Sequence, residues 1–95
     1  MHRNSAGADT NALNELSAAL ASVNEQGDML KFLGELHTPS ELMDMALRWR
    51  LLKMLNQGLP QREIAKKLGI SLCKITRGSR LLKSRNSVTK KLIQG

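Results

Sequence analysis

Ninety-five residues with a formal net charge of +7, one Trp, one Phe and no Tyr leave room for one domain and almost no aromatic surface on which single-stranded nucleic acid could stack. A single cysteine, Cys73, excludes an intramolecular disulfide and a cysteine-based metal cluster, and no apolar run approaches the ~18 residues of a membrane span. The N-terminus lacks the basic-then-apolar order of a signal peptide, so the chain is expected to be cytoplasmic, and a chain this short favours dimerisation because it buries a modest share of its surface alone.

Residues 1–8, MHRNSAGA, are small and polar and read as a disordered tail ahead of a single all-helical domain over residues 9–95. A helical pattern starts near Asp9 or Thr10, places Leu13, Leu16, Leu20 and Val23 at spacings of three and four, and ends over Asn24 to Gly27. Asp28 is the expected cap of a second short helix, which buries Met29, Phe32 and Leu36 or else Leu30, Leu33 and Leu36. Thr38-Pro39-Ser40-Glu41 then marks a helix start: a capping threonine, a proline suited to the first helical position, and a glutamate that completes a capping box. This third helix is expected to reach about Gln57 and stop at Gly58, which accepts the left-handed conformation. Leu42, Met45, Ala46, Trp49, Leu52 and Leu55 share one face of it, while Met43, Leu47, Leu51 and Met54 lie outside that stripe. A helix apolar on more than one side asks for cover on more than one side, and a second subunit is the expected cover. Residues 9–57 are thus read as dimerisation helices, against the alternative of a monomer with some apolar residues exposed.

Gln61 to Leu68 predicts a short helix with Ile64, Ala65 and Leu68 inward, Gly69-Ile70-Ser71 a turn, and Leu72 to about Lys83 a further helix. Two helices that cross steeply need a small residue at their approach and a residue tolerant of positive φ at the turn, and Ala65 and Gly69 supply these. Ile64, Leu68, Ile70 and Ile75 add apolar contacts at the matching spacings, so residues 61–83 read as a helix-turn-helix. A last short helix is expected over 87–94, burying Val88, Leu92 and Ile93. No stretch alternates in the manner of a strand.

Charge follows the same division. Up to residue 47 two bases, Arg3 and Lys31, stand against seven acids, a net of −5; from Arg48 onward thirteen Lys or Arg stand against Glu63 alone, a net of +12. A polyanion is the partner such a half invites, and duplex DNA is the expected one. The second helix of the motif would enter the major groove with Leu72, Cys73, Lys74 and Thr76 toward base edges. Lys74 can donate to guanine or to a phosphate, and Leu72 and Cys73 offer apolar contact to a thymine methyl. Arg62, Lys66 and Lys67 on the first helix suit the phosphate backbone, where they add affinity without reading sequence. His2 and His37 form no metal-ligand spacing, so no metal is expected. No Ser, His and acid constellation and no glycine-rich phosphate loop appears, so an enzyme is not expected.

The run Ile75-Thr76-Arg77-Gly78-Ser79 followed by Leu82-Lys83, together with Thr38-Pro39, Arg48/Arg50 and Gln61-Arg62-Glu63-Ile64, resembles the Trp repressor family over residues 38–83. The resemblance implies an intertwined helical homodimer with two reading heads spaced for successive major grooves, and an amino-acid corepressor, L-tryptophan, between the central and recognition helices. Carried over by position, Arg48 and Arg77 would sandwich the indole, Arg77 would pair with the ligand carboxylate, and Thr38 and Gly78 would complete the pocket. The chain departs from the pattern at Leu81, where the family has a serine near the ligand amino group, at His37, where the family has an apolar residue, and in the loop Gly58-Leu59-Pro60, which is one residue shorter. Arg80 stands where a small polar residue is common, and would add a phosphate contact or fill part of the pocket. The expected function is a sequence-specific transcriptional repressor on a palindromic operator, with L-tryptophan as corepressor or without one. The alternatives are a non-specific, architectural DNA-binding module and a helical protein-interaction adaptor.

Overall fold

The computed structural model describes residues 6–95, in which six helices and no strand occur. They are α1 (Ala6–Ala21), α2 (Gln26–Leu36), α3 (Pro39–Asn56), α4 (Gln61–Leu68), α5 (Leu72–Lys83) and α6 (Val88–Gln94). The chain divides after Pro39 into two compact units, where a single helical domain was expected.

In the first unit α1 begins at Ala6, three residues before the expected Asp9, and the remaining residues 1–5 of the expected tail lie outside the described residues. Ala6, Gly7 and Ala8 carry no side chain that competes with the helical backbone, which explains the early start for two of the three. Glu25, not Asp28, occupies the N-cap of α2 and makes no side-chain cap bond, so Asp28 is a first-turn acid interacting with the helix dipole. Phe32, Leu33 and Met29 are half-buried and Leu30 and Leu36 exposed; α2 buries no residue fully. At its C-terminal end the His37 Nδ1–H donates to the Leu33 carbonyl at 2.8 Å. Because that carbonyl only accepts, the bond places a proton on Nδ1.

The second unit is built on one seam. Ile64 of α4 and Ile75 of α5 are fully buried, Leu51 of α3 is 3% exposed, and Met54, Leu55, Leu59, Ala65, Leu68 and Ile70 pack around them. Both helices that lead into the seam end by the same device. Gly58 (φ +87°) closes α3 with its N–H on Leu55 O and the Leu59 N–H on Met54 O; Gly69 (φ +65°) closes α4, and both its own N–H and that of Ile70 reach Ala65 O, at 2.8 and 3.3 Å. In each case the residue after the glycine is apolar and folds back onto the core, as the Schellman arrangement requires. Ser71 caps α5 by accepting from the Lys74 N–H at 3.4 Å, and Ser87 caps α6 by accepting from the Lys90 N–H at 3.0 Å.

Two expectations about burial change. The α3 stripe predicted to be inward is only partly so: Leu52 is buried and Leu55 half-buried, but Met45 and Trp49 are exposed, and Leu51, predicted outside the stripe, is the most buried residue of the helix. Periodicity gives the faces of a helix, whereas the face that is covered here is the one that α4 and α5 meet. In α6 Ile93 is half-buried, while Val88 and Leu92 are 68% and 65% exposed instead of inward, because seven residues present only two turns to α5.

Candidate nucleic-acid interface

Gly69 and the cap at Ser71 set the angle at which α5 leaves the turn, and the buried Ile75 fixes its rotation. With Ile75 and Gly78 inward, Leu72, Cys73, Lys74, Thr76, Arg77 and Arg80 are all exposed. The structure therefore brings the expected groove-facing set together on the first turns of one helix. Thr76 is more restricted than the sequence implies. Its Oγ1–H donates to the Leu72 carbonyl at 2.9 Å, so toward a base edge the hydroxyl can accept but not donate.

On α4, Arg62, Lys66 and Lys67 are exposed as well. Lys67 faces Glu63 one turn earlier at 3.9 Å with both side chains about half exposed, an i,i+4 pair of the kind worth roughly 0.3–0.5 kcal/mol. Such a pair yields readily to a phosphate, but Arg62 and Lys66 have no ion partner among the described residues and are the stronger candidates for backbone contact.

A cavity of about 660 Å³ lies between α3 and α5, lined by Arg48, Leu51, Leu52, Lys74, Arg77, Gly78, Arg80 and Leu81. It falls in the range of small-molecule sites, roughly 300–1,000 Å³. Three of the four expected ligand residues, Arg48, Arg77 and Gly78, meet here; Thr38, the residue before α3, belongs to the first unit. Lys74 and Arg80, read from sequence as DNA contacts, line the cavity too. Among the described residues Arg48 forms no ion pair with Asp44, the alternative partner one turn away. Gly78 also has a packing reason to be small: a Cβ there would stand 3.3 Å from Leu52 Cδ2 and from Leu55 Cδ1. Leu51, Leu52 and Leu81 were not read as lining residues, although helical spacing held the signal. Leu51 and Leu52 follow Arg48 by three and four, and Lys74 and Leu81 flank Arg77 by three and four.

Comparison with known proteins gives the same direction. The family model described as Trp repressor protein matches residues 11–95. A Trp operon repressor homolog of Xylella fastidiosa is 38% identical over 76 residues, 79% of this chain and 83% of the relative. One from Vibrio campbellii is 41% identical over 68 residues, 70% of this chain and 66% of the relative. One from Chlamydia trachomatis is 45% identical over 56 residues, 58% of this chain and 60% of the relative, so the chain spans about three fifths of that protein's length. No solved structure matches.

Proposed function

The chain belongs to the Trp repressor family, a regulatory and not an enzymatic one, and from that premise we propose that it is a sequence-specific transcriptional repressor that binds a palindromic operator as a homodimer. The observation that carries the reading is the exposed N-terminal half of α5, rotated outward by the buried Ile64–Ile75 seam and set in the half of the chain that holds thirteen of the fifteen Lys and Arg. Leu72, Cys73, Lys74 and Thr76 read base edges in the major groove; Arg62, Lys66, Lys67 and Arg80 hold phosphates. Operator symmetry mirrors the symmetry of the dimer.

What supports a dimer is the apolar surface left open in one copy: Leu13 and Leu30 in the first unit and Met43, Met45 and Trp49 on α3 are 37–70% exposed. A face of that kind on a monomer marks an interaction surface. The family uses L-tryptophan as corepressor, and the cavity at Arg48 and Arg77 is the small-molecule site on that pattern. Arg77 pairs with a ligand carboxylate, and the Arg48 and Arg77 guanidinium planes flank a flat apolar body, a task that suits a delocalised cation. Selection from a randomised pool of DNA duplexes tests the proposal. The expected product is an inverted repeat with half-site centres about 10 base pairs apart. Retention of the pool without enrichment would instead favour a non-specific module, and no retention at low salt an adaptor without a DNA role.

A further inference from the structure

Four cationic side chains, Arg48, Lys74, Arg77 and Arg80, line the cavity between α3 and α5, and among the described residues none of them is in an ion pair. The rest of the lining is Leu51, Leu52, Gly78 and Leu81, so no carboxylate, hydroxyl or amide side chain of the second unit faces that space. Asp44 lies in a separate pocket of about 20 Å³ with Arg48 and Lys74 beside it, room for little more than a water molecule.

We propose that the occupant of this cavity is an organic acid with a flat apolar body and no ammonium group. The inference rests on the cavity being a small-molecule site, as read above. A carboxylate among guanidinium groups gains charge-assisted, bidentate hydrogen bonds, and a flat body lies against Leu51, Leu52 and Leu81. An ammonium meets the reverse: like charges on several sides and no side-chain acceptor, so its lost hydration is not replaced. In an α-amino acid the ammonium sits on the carbon that bears the carboxylate, so docking the acid on Arg77 brings the ammonium to the same cations. Lys74 and Arg80 supply more positive charge than one carboxylate balances, and a second acidic group on the ligand would add affinity.

Calorimetry on the full chain with indole-3-propionate and L-tryptophan isolates the point, because the two share ring, chain length and carboxylate and differ in the ammonium. The propionate is expected to bind at least ~10-fold more tightly, about 1.4 kcal/mol. Leu81→Ser, which adds an acceptor at an exposed lining position, is expected to narrow that ratio, and Arg77→Ala to abolish binding of both. Tryptophan binding as tightly as the propionate or more so would overturn the inference and leave the cavity a ligand site. No heat from either compound at millimolar concentration would overturn both readings.

Discussion

Arg62 and Arg77 are both exposed arginines, yet their surroundings assign them different work. Arg77 lines the cavity, whereas Arg62 stands on the outer face of α4 with no ion partner among the described residues. Arg62→Ala should weaken binding to every duplex alike and lower the salt slope by roughly one unit, as loss of one phosphate contact does; a change in the ranking of duplexes would contradict that assignment. The seam residues act through stability. Ile75→Ala should cost about 2–5 kcal/mol by urea denaturation, the cavity cost of a fully buried isoleucine. Gly69→Ala should cost about 1–2 kcal/mol, since φ +65° places the new Cβ in the left-handed region. Sequence showed both effects in advance, because a glycine between two short amphipathic helices has few other reasons to be there. It did not show the Thr76 hydroxyl bound to its own helix, which depends on a side-chain rotamer rather than on spacing.

At the level of elements, the helices of the second unit were legible because their ends carry strong punctuation: Pro39 and Gly58 around α3, Gly69 and Ser71 between α4 and α5, Ser87 before α6. The start of α2 was not, since Glu25 caps it without a side-chain bond and Asp28 offered the more persuasive residue. Caps also differ in what they contribute. Ser87 is 8% exposed and its bond is 3.0 Å, whereas Ser71 is exposed and its bond is 3.4 Å. Within the ~0.5–2 kcal/mol range of cap removal, Ser87→Ala should therefore destabilise more than Ser71→Ala by thermal or urea unfolding, and the opposite order would contradict the geometry. The covered face of α3 was misjudged for a physical reason: Leu51 and Leu52 are 100° apart on the helix, and which of them goes inward depends on where α5 lies against it. Gly78 is what permits that approach.

For the whole molecule, one copy leaves its longest helix with Met43, Met45 and Trp49 exposed and buries no residue of α2. Sedimentation equilibrium should accordingly return twice the 10.5 kDa chain mass at micromolar concentration; a 10.5 kDa species would remove the dimer and with it the reason for a palindromic site. The charge division between residues 1–47 and 48–95 was fully legible, because counting needs no coordinates, and it located the DNA-facing half before any helix was placed. The central claim is that this half reads sequence and does more than neutralise phosphate. It is tested most directly by titrating the chain at fixed salt against a selected palindromic duplex and its scrambled counterpart. The account predicts at least ~10³-fold tighter binding to the palindrome, and equal affinity for the two duplexes would contradict it.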